Sequence, residues 1–419
     1  MLATSAAGPI GAALPPDRQR AAEGYAIDGV VPVLALRPQR REEVAAVLAA
    51  ASEAGAAVVP QGGRTALALG RPLDGYDIAL DLSGLDRVVA FEPDDLTITV
   101  EAGLTLGALQ RRLGEHGQYL SADPPPDDGV TVGGLLATAR PGAWRGHLPA
   151  ARDLILGIEA ALPGGELVKS GGRVVKNVSG YDLHRLHTGA LGAFGVIVEA
   201  SFKLAPAPAA TRSLALRCAT VEEAGRTAIK AWDQSLPARA ISVLSAPAAA
   251  AAGLAAAPHV LIEFAGVAAA VERATEIAAG LGDASDATND ANGTDGPWVA
   301  LRALGAGDRG DSVVLRMAVP TTAAGAAIEA ADAAGCVAWG HIAAGSVLAQ
   351  TSEIDAGAVR ALRERARGLG GTLQIESAPA ALRAEVDPFD AGERELVAAL
   401  RQQFDVARTI NPGHWAEGL

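Results

Sequence analysis

Val58-Val59-Pro60-Gln61-Gly62-Gly63-Arg64-Thr65 is the stretch on which the fold turns. Val58 to Pro60 is a short apolar run with β-branched residues, which predicts a strand. Two adjacent glycines follow it. A backbone without Cβ turns sharply there and points successive N–H groups into one concavity, a nest that receives an anion, with a pyrophosphate as the usual guest. Arg64 and Thr65 add a charge and a hydroxyl. A glycine pair after a strand is also an ordinary turn, so the reading depends on the sequence around it.

Upstream, Val33 to Leu36 reads as a strand stopped by Arg37-Pro38, and Val44, Val47, Leu48 and Ala51 recur at helical spacing before Gly55. This is a β–α–β unit that delivers the chain into the glycine pair. Downstream, Ile78, Leu80 and Leu82 alternate, as do Leu96, Ile98 and Val100. Leu106, Leu109 and Leu113 predict a helix ending near Gly114, and Ile155 to Leu162 enters the hairpin turn Pro163-Gly164-Gly165-Glu166. Val196, Val198, Ala200, Phe202 and Leu204 alternate as a closing strand, and Pro206 and Pro208 mark a boundary.

Two further segments carry glycines. Asp123-Pro124-Pro125-Pro126 leads to Thr131-Val132-Gly133-Gly134, where Thr131 caps a helix whose start admits close approach of an anionic ligand. Between Gly171 and Gly195 stand Lys176-Asn177-Val178-Ser179-Gly180-Tyr181-Asp182 and then Gly189, Gly192 and Gly195, a spacing that suits backbone running under a flat ligand. Capping and packing alone account for such glycines equally well.

The C-terminal half has another rhythm. Ser213 to Cys218, Ile241 to Leu244, His259 to Phe264, Ser312 to Val319, Cys336 to His341, Ser346 to Gln350 and Thr372 to Ile375 read as strands. Val221 to Trp232 and Val267 to Gly280 read as helices between them. This predicts an α+β domain with helices on one face of an antiparallel sheet. Ala246 to Ala257 reads as a helix or loop insert, and the polar Asp283 to Gly296 as a mobile surface loop.

The chain's 419 residues suggest two or three domains, and a net charge of -13 argues against nucleic acid, whose phosphates call for clustered Lys and Arg. Cys218 and Cys336 are the only cysteines, too few for an iron–sulfur or structural zinc site, and fit a reducing cytoplasm. No signal peptide and no uninterrupted apolar run of membrane-spanning length is read, so no direct membrane span is expected. His184 and His187 share a helix face and read as surface or cofactor-adjacent. His116 follows a helix end, and His147 lies near Trp144. No nucleophile elbow or P-loop appears.

Together the ordered motifs P-x-G-G-x-T, D-P-P, T-V-G-G, P-x-G-E, K-N-x-x-G-Y-D and G-x-x-G-x-x-G-V-I resemble the FAD-binding domain of the vanillyl-alcohol-oxidase and p-cresol-methylhydroxylase superfamily, over about residues 30 to 208. Within it, Asp123-Pro124-Pro125, Lys176 to Asp182 and Ile410-Asn411-Pro412-Gly413 are most similar to the FAD-binding subunits of bacterial glycolate oxidases. His414 stands where those sequences carry arginine. The resemblance implies an α+β chain: a PCMH-type two-subdomain FAD-binding domain, then an α+β, ferredoxin-like cap domain of the FAD-linked oxidase type. The implied boundaries are 1–29 for an N-terminal extension, 30–208, 209–402, and 403–419 returning to the FAD site.

The resemblance also implies roles. Pro60, Gln61, Gly62, Gly63, Arg64 and Thr65 would wrap the pyrophosphate, with Asp123, Pro124, Thr131, Gly133 and Gly134 alongside. Val196 and Ile197 would offer backbone to the adenine or flavin edge, and Asn411 would approach the isoalloxazine. In relatives with covalent flavin a histidine follows the glycine pair. Arg64 holds that position here, so FAD is expected to be non-covalent. Relatives that oxidise 2-hydroxy acids carry a metal-binding H-x-G-D-G-N-x-H run and an E-H-G run. The matching stretches are Trp339 to Gly345 and Glu376-Ser377-Ala378-Pro379, which keep only His341 and Glu376, so no metal set and no catalytic residue is assigned. His341 reads as structural. The implied partners are a catalytic flavin dehydrogenase subunit and an iron–sulfur subunit, with glycolate as the substrate of the complex. The implied location is cytoplasmic, at the inner face of the membrane only through partners. The competing readings are a stand-alone FAD-linked dehydrogenase of another alcohol or hydroxy acid, and a structural subunit with a vestigial flavin site.

Overall fold

The computed structural model describes residues 4–73, 75–122, 129–140, 142, 144, 148–174, 180–289, 295–306, 312–390 and 394–415. In the first sheet, Leu34–Leu36 and Val58–Gln61 both run parallel to a central Ile78–Asp81. The crossover helix Arg41–Ala54 buries Val44, Val47, Leu48 and Ala51 and stops at Gly55, whose φ of 63° is left-handed. The β–α–β unit read from the sequence is therefore present.

Both edges of this sheet are closed by distant chain. Gln19–Arg20 pairs antiparallel with Leu34–Leu36, and Ile10 and Leu14 pack into the core with Val44 and Leu48. Residues 1–29, expected as an extension, thus supply an edge strand and core side chains; two polar strand residues leave no apolar alternation to read. At the other edge, the Val58 amide donates to Thr409 O at 2.7 Å and the Asn411 amide to Val58 O at 3.0 Å. The Asp405 carboxylate shapes this return by accepting from the amides of Thr409 and Ile410 at 2.8 and 2.9 Å.

A five-stranded antiparallel sheet follows, in the order Val88–Glu92, Thr97–Glu101, Val196–Lys203, Ile155–Ala161, Leu167–Gly171. The expected hairpin joins its last two strands, with Gly165 at φ 91°. Val196–Lys203 is buried at every position but the last. Val196 and Val198 join the core of the first sheet, while Ile197, Ala200 and Phe202 pack under the helices Leu106–Gly114 and Val132–Thr138. One strand thereby welds two cores.

The C-terminal half is one eight-stranded antiparallel sheet built from two β-α-β-β-α-β units. The first contributes Asp283–Asp286, Ala210–Arg217, His259–Gly266 and Ala238–Leu244, so its strands lie in the order fourth, first, third, second. The second contributes Val337–His341, Ser346–Thr351, Val313–Ala318 and Thr372–Ser377, the mirror order. The units meet at their second strands, with Ser242 opposite His341 and Leu244 opposite Trp339. The fold is thus a ferredoxin-like unit in tandem. The helices Val221–Asp233, Ala268–Ala279, Ala324–Ala333 and Ala356–Gly368 cover one face. The second face is not bare as expected: Ala246–Ala251 and Pro297–Ala306 cover part of it around Trp298 and Trp339. Asp283–Asp286 corrects another expectation. It is an edge strand, not loop, and pairs with Ala210–Arg217 through its main chain while its side chains stay exposed. Residues 290–294 of that stretch lie outside the described residues.

Candidate functional site

A cavity opens beyond the carboxyl end of Val58–Gln61. Its wall contains Pro60 to Leu67, Thr131, Gly134, Arg140, Leu191, Asn411 and His414. A second lobe of about 530 Å³ shares Pro60, Gly62, Thr131, Gly134, Leu191 and Asn411 and adds Gly133, Gly192, Gly195, Val196 and Ile197. Every described residue of the expected cofactor set therefore lines one or the other of these two adjoining cavities. Asp123, Pro124, Lys176 to Ser179 and His147 lie outside the described residues.

The glycine pair is required by close approach. A Cβ on Gly63 would stand 1.8 Å from the carbonyl oxygen of Gly129, and one on Gly62 would stand 2.3 Å from Thr131 Oγ1. The first glycine segment is thus pressed against the second, and the cavity begins where they touch. Thr131 Oγ1 accepts from the Gly134 amide at 3.2 Å, the cap the sequence suggested.

Arg64 differs from expectation. Its backbone lines the cavity at φ 59°. Its guanidinium turns away, donating to the carbonyls of Gly24 and Ala26 and lying over the Tyr25 ring. The charge anchors the N-terminal segment to the glycine loop rather than facing an anion.

Asn411 sits at φ 47°, and its Nδ2 donates to Leu191 O at 2.7 Å, fixing the turn that carries Gly192. His187 lies in the second lobe, where burial pushes its imidazole down to about 4. Burial, helped by Arg383, likewise pushes His414 down to about 4. His184 is buried, its amide donating to Ser170 Oγ at 3.0 Å, so of the two roles expected for this helix the surface one is corrected, while the place of His187 in the second lobe agrees with the cofactor-adjacent one. His341 is buried at the seam of the two units, with Nδ1 2.7 Å from Ser242 Oγ.

Two polar atoms test whether the space fits FAD. Gln61 Oε1 and His414 Nδ1 are buried in the wall and have no hydrogen-bond partner among the described residues. Buried polar atoms are nearly always satisfied, so a ligand with a polar edge suits them. Together with glycine-permitted close approach, these residues fit a dinucleotide.

Sequence reading missed the cross-chain ion pairs. Arg140 Nε donates to Glu376 Oε2 at 3.1 Å and Arg316 Nε to Glu376 Oε1 at 2.6 Å. Burial alone would raise the Glu376 carboxyl, but the two guanidinia hold it below the usual range. Arg383, fully buried, pairs with Asp28 and donates to Gly70 O at 2.9 Å and Ala378 O at 2.7 Å. Partners this far apart in the chain leave no spacing signal.

Residues 32–171 match the family of FAD binding domains. The chain is 37% identical over 158 residues to the glycolate oxidase subunit GlcE of Escherichia coli, covering 38% of this chain and 45% of that one. It is 29% identical over 253 residues to a mitochondrial D-lactate dehydrogenase (cytochrome) of Arabidopsis thaliana, covering 59% of this chain and 44% of that one. The matches thus span less than half the length of these curated relatives. Among solved structures, p-cresol methylhydroxylase with substrate bound superposes with a TM-score of 0.78 at 15% identity, over 98% of this chain and 96% of that one. Alkyldihydroxyacetonephosphate synthase superposes with a TM-score of 0.72, also at 15% identity, over 98% and 85%. Residues 32–171 are therefore similar to FAD binding domains, and the chain shares the fold of p-cresol methylhydroxylase.

Proposed function

We propose that this chain is the FAD-binding subunit of a glycolate oxidase complex, holding FAD non-covalently and taking part in flavin electron transfer. The observation that carries this reading is the convergence of three glycine-bearing segments and Asn411 on one two-lobed cavity. The main chain of Gln61 to Thr65, with Thr131, Gly133 and Gly134, would hold the pyrophosphate. Val196 and Ile197 would bound the narrower lobe, and Asn411 the ring. FAD, when bound, supplies the electron-pair acceptor. The surrounding residues bind it, orient it and exclude water from it.

Arg64 in place of a histidine, turned toward Gly24, supports a dissociable cofactor. The likeness to a relative named as a glycolate oxidase subunit supports partners: a catalytic flavin dehydrogenase subunit and an iron–sulfur subunit, with glycolate as the substrate of the assembly. Among the described residues no helix is long and apolar enough to cross a membrane, and any attachment at the inner face would run through those partners. The test is purification of the chain alone and with partners. We expect a flavin band near roughly 450 nm that acid precipitation releases into the supernatant, and glycolate turnover only in the assembly. Rapid glycolate turnover by the lone chain would contradict the division of labour.

A second reading follows from relatives named as D-lactate and D-2-hydroxyglutarate dehydrogenases. The chain would then oxidise another 2-hydroxy acid by itself, and anaerobic bleaching of its flavin by one member of a substrate panel would select this reading.

A further inference from the structure

Beside the main cavity a carboxylate is clamped between two guanidinia from separate halves of the fold. Arg140 follows the helix Val132–Thr138 and lines both the cavity at the glycine loop and an adjoining cleft. Arg316 belongs to the third sheet and also donates to Gln374 Oε1 at 2.6 Å. Between them, Glu376 is 2% exposed and lines the cleft with Ser377.

Two guanidinia that each aim one Nε–H at the same carboxylate form a donor set for a small carboxylate, through charge-assisted hydrogen bonds, while their terminal nitrogens donate to Gly305 O and Gln374 Oε1. In this chain the acceptor is built in. The Nε donors of both arginines are taken by the two oxygens of Glu376. An external carboxylate would have to expel Glu376 and leave it buried without counter-charge, which is strongly unfavourable.

We propose that Glu376 is an internal occupant of a carboxylate clamp formed by Arg140 and Arg316, and that it closes this cleft to small carboxylate ligands. The inference rests on the proposed flavin cavity only in placing the clamp beside FAD. It gives a physical reason for a cofactor-holding chain to leave 2-hydroxy-acid capture to a partner.

The test titrates wild type, E376A and the double variant E376A/R140A with sodium oxalate and sodium glycolate. Calorimetry and the thermal midpoint report binding, and flavin absorbance reports proximity to the ring. Removing the internal carboxylate is expected to tighten oxalate binding about tenfold or more over wild type, and removing Arg140 as well is expected to abolish the gain. Formate or acetate, filling the vacated position, is expected to raise the thermal midpoint of E376A but not of wild type. Oxalate bound equally by wild type and E376A would overturn the proposal, as would a folded E376A that ignores carboxylates. If E376A fails to fold, E376S vacates the same position with a smaller, polar side chain and carries the same comparison: a greater oxalate-induced rise in midpoint than in wild type supports the clamp, and no greater rise refutes it. A wild type that stays colourless with FAD would sink the flavin reading separately, since calorimetry and the midpoint need no flavin.

Discussion

The side-chain amide of Asn411 donates to the carbonyl oxygen of Leu191 at 2.7 Å, so the C-terminal segment holds the turn that carries Gly192. Asparagine also tolerates the left-handed backbone found here, φ 47°. Asn411→Ala removes the donor and seats a less tolerant residue. A loss of about 1–3 kcal/mol in urea denaturation is expected, with weaker FAD binding by fluorescence titration. Asn411→Asp keeps the size without the donor and should fare no better. Unchanged values for both would show that the bond does not hold the cavity.

Gly62→Ala and Gly63→Ala are expected to differ. The new methyl at 62 meets the Thr131 side chain, whose Oγ1 and Cγ2 can shift by rotation, at the cost of the helix cap, about 1 kcal/mol. The one at 63 meets the main-chain carbonyl of Gly129, which cannot move without the segment. Gly63→Ala should therefore purify without flavin absorbance, while Gly62→Ala retains it with reduced affinity. The reverse order would show that the segments are not pressed together as described.

Burial of His187 sets a pH dependence. Unfolded, its imidazole takes a proton near the ordinary 6.5; folded, this falls to about 4. Between these values the unfolded chain binds more protons, so stability is full above about pH 6.5 and declines as pH drops toward 4. The contribution is on the order of 3 kcal/mol. His414, also pushed down to about 4, produces a slope over the same window, so His187→Gln should reduce, not abolish, the fall of thermal midpoint between neutral and acid pH, and an unreduced fall would assign the slope to other groups.

Arg383→Met leaves Asp28 without its partner and two carbonyls, of Gly70 and Ala378, without their donor. A destabilisation of about 3–5 kcal/mol is expected by urea denaturation. Adding Asp28→Asn should recover part of it, because the residues act as one unit. Full additivity would argue that the pair contributes nothing jointly.

Local chemistry made much of this molecule legible. The crossover helix, the 163–166 hairpin and the Thr131 cap follow from spacing and turn residues that act over a few positions. Gly62, Gly134 and Gly192 could be grouped because each backbone role is visible in sequence. What stayed hidden depends on partners far along the chain. The strand Asp283–Asp286 has exposed side chains, so nothing in its composition marks it. The tandem unit is invisible because strand order, not strand pattern, defines it. Arg64 pointed the wrong way in sequence because its acceptors, Gly24 and Ala26, belong to a segment with no apolar signal. Glu376 was seen only as the remnant of a motif, since neither Arg140 nor Arg316 is near it in sequence.

The bond between Val58 and the Thr409–Asn411 return has a consequence for biosynthesis. The cavity wall runs from Ile27 to His414, so a growing polypeptide that has not yet emitted Asn411 from the ribosome lacks one side of the pocket. A nucleotide held in this cavity would thus meet a complete wall only after this segment has been translated.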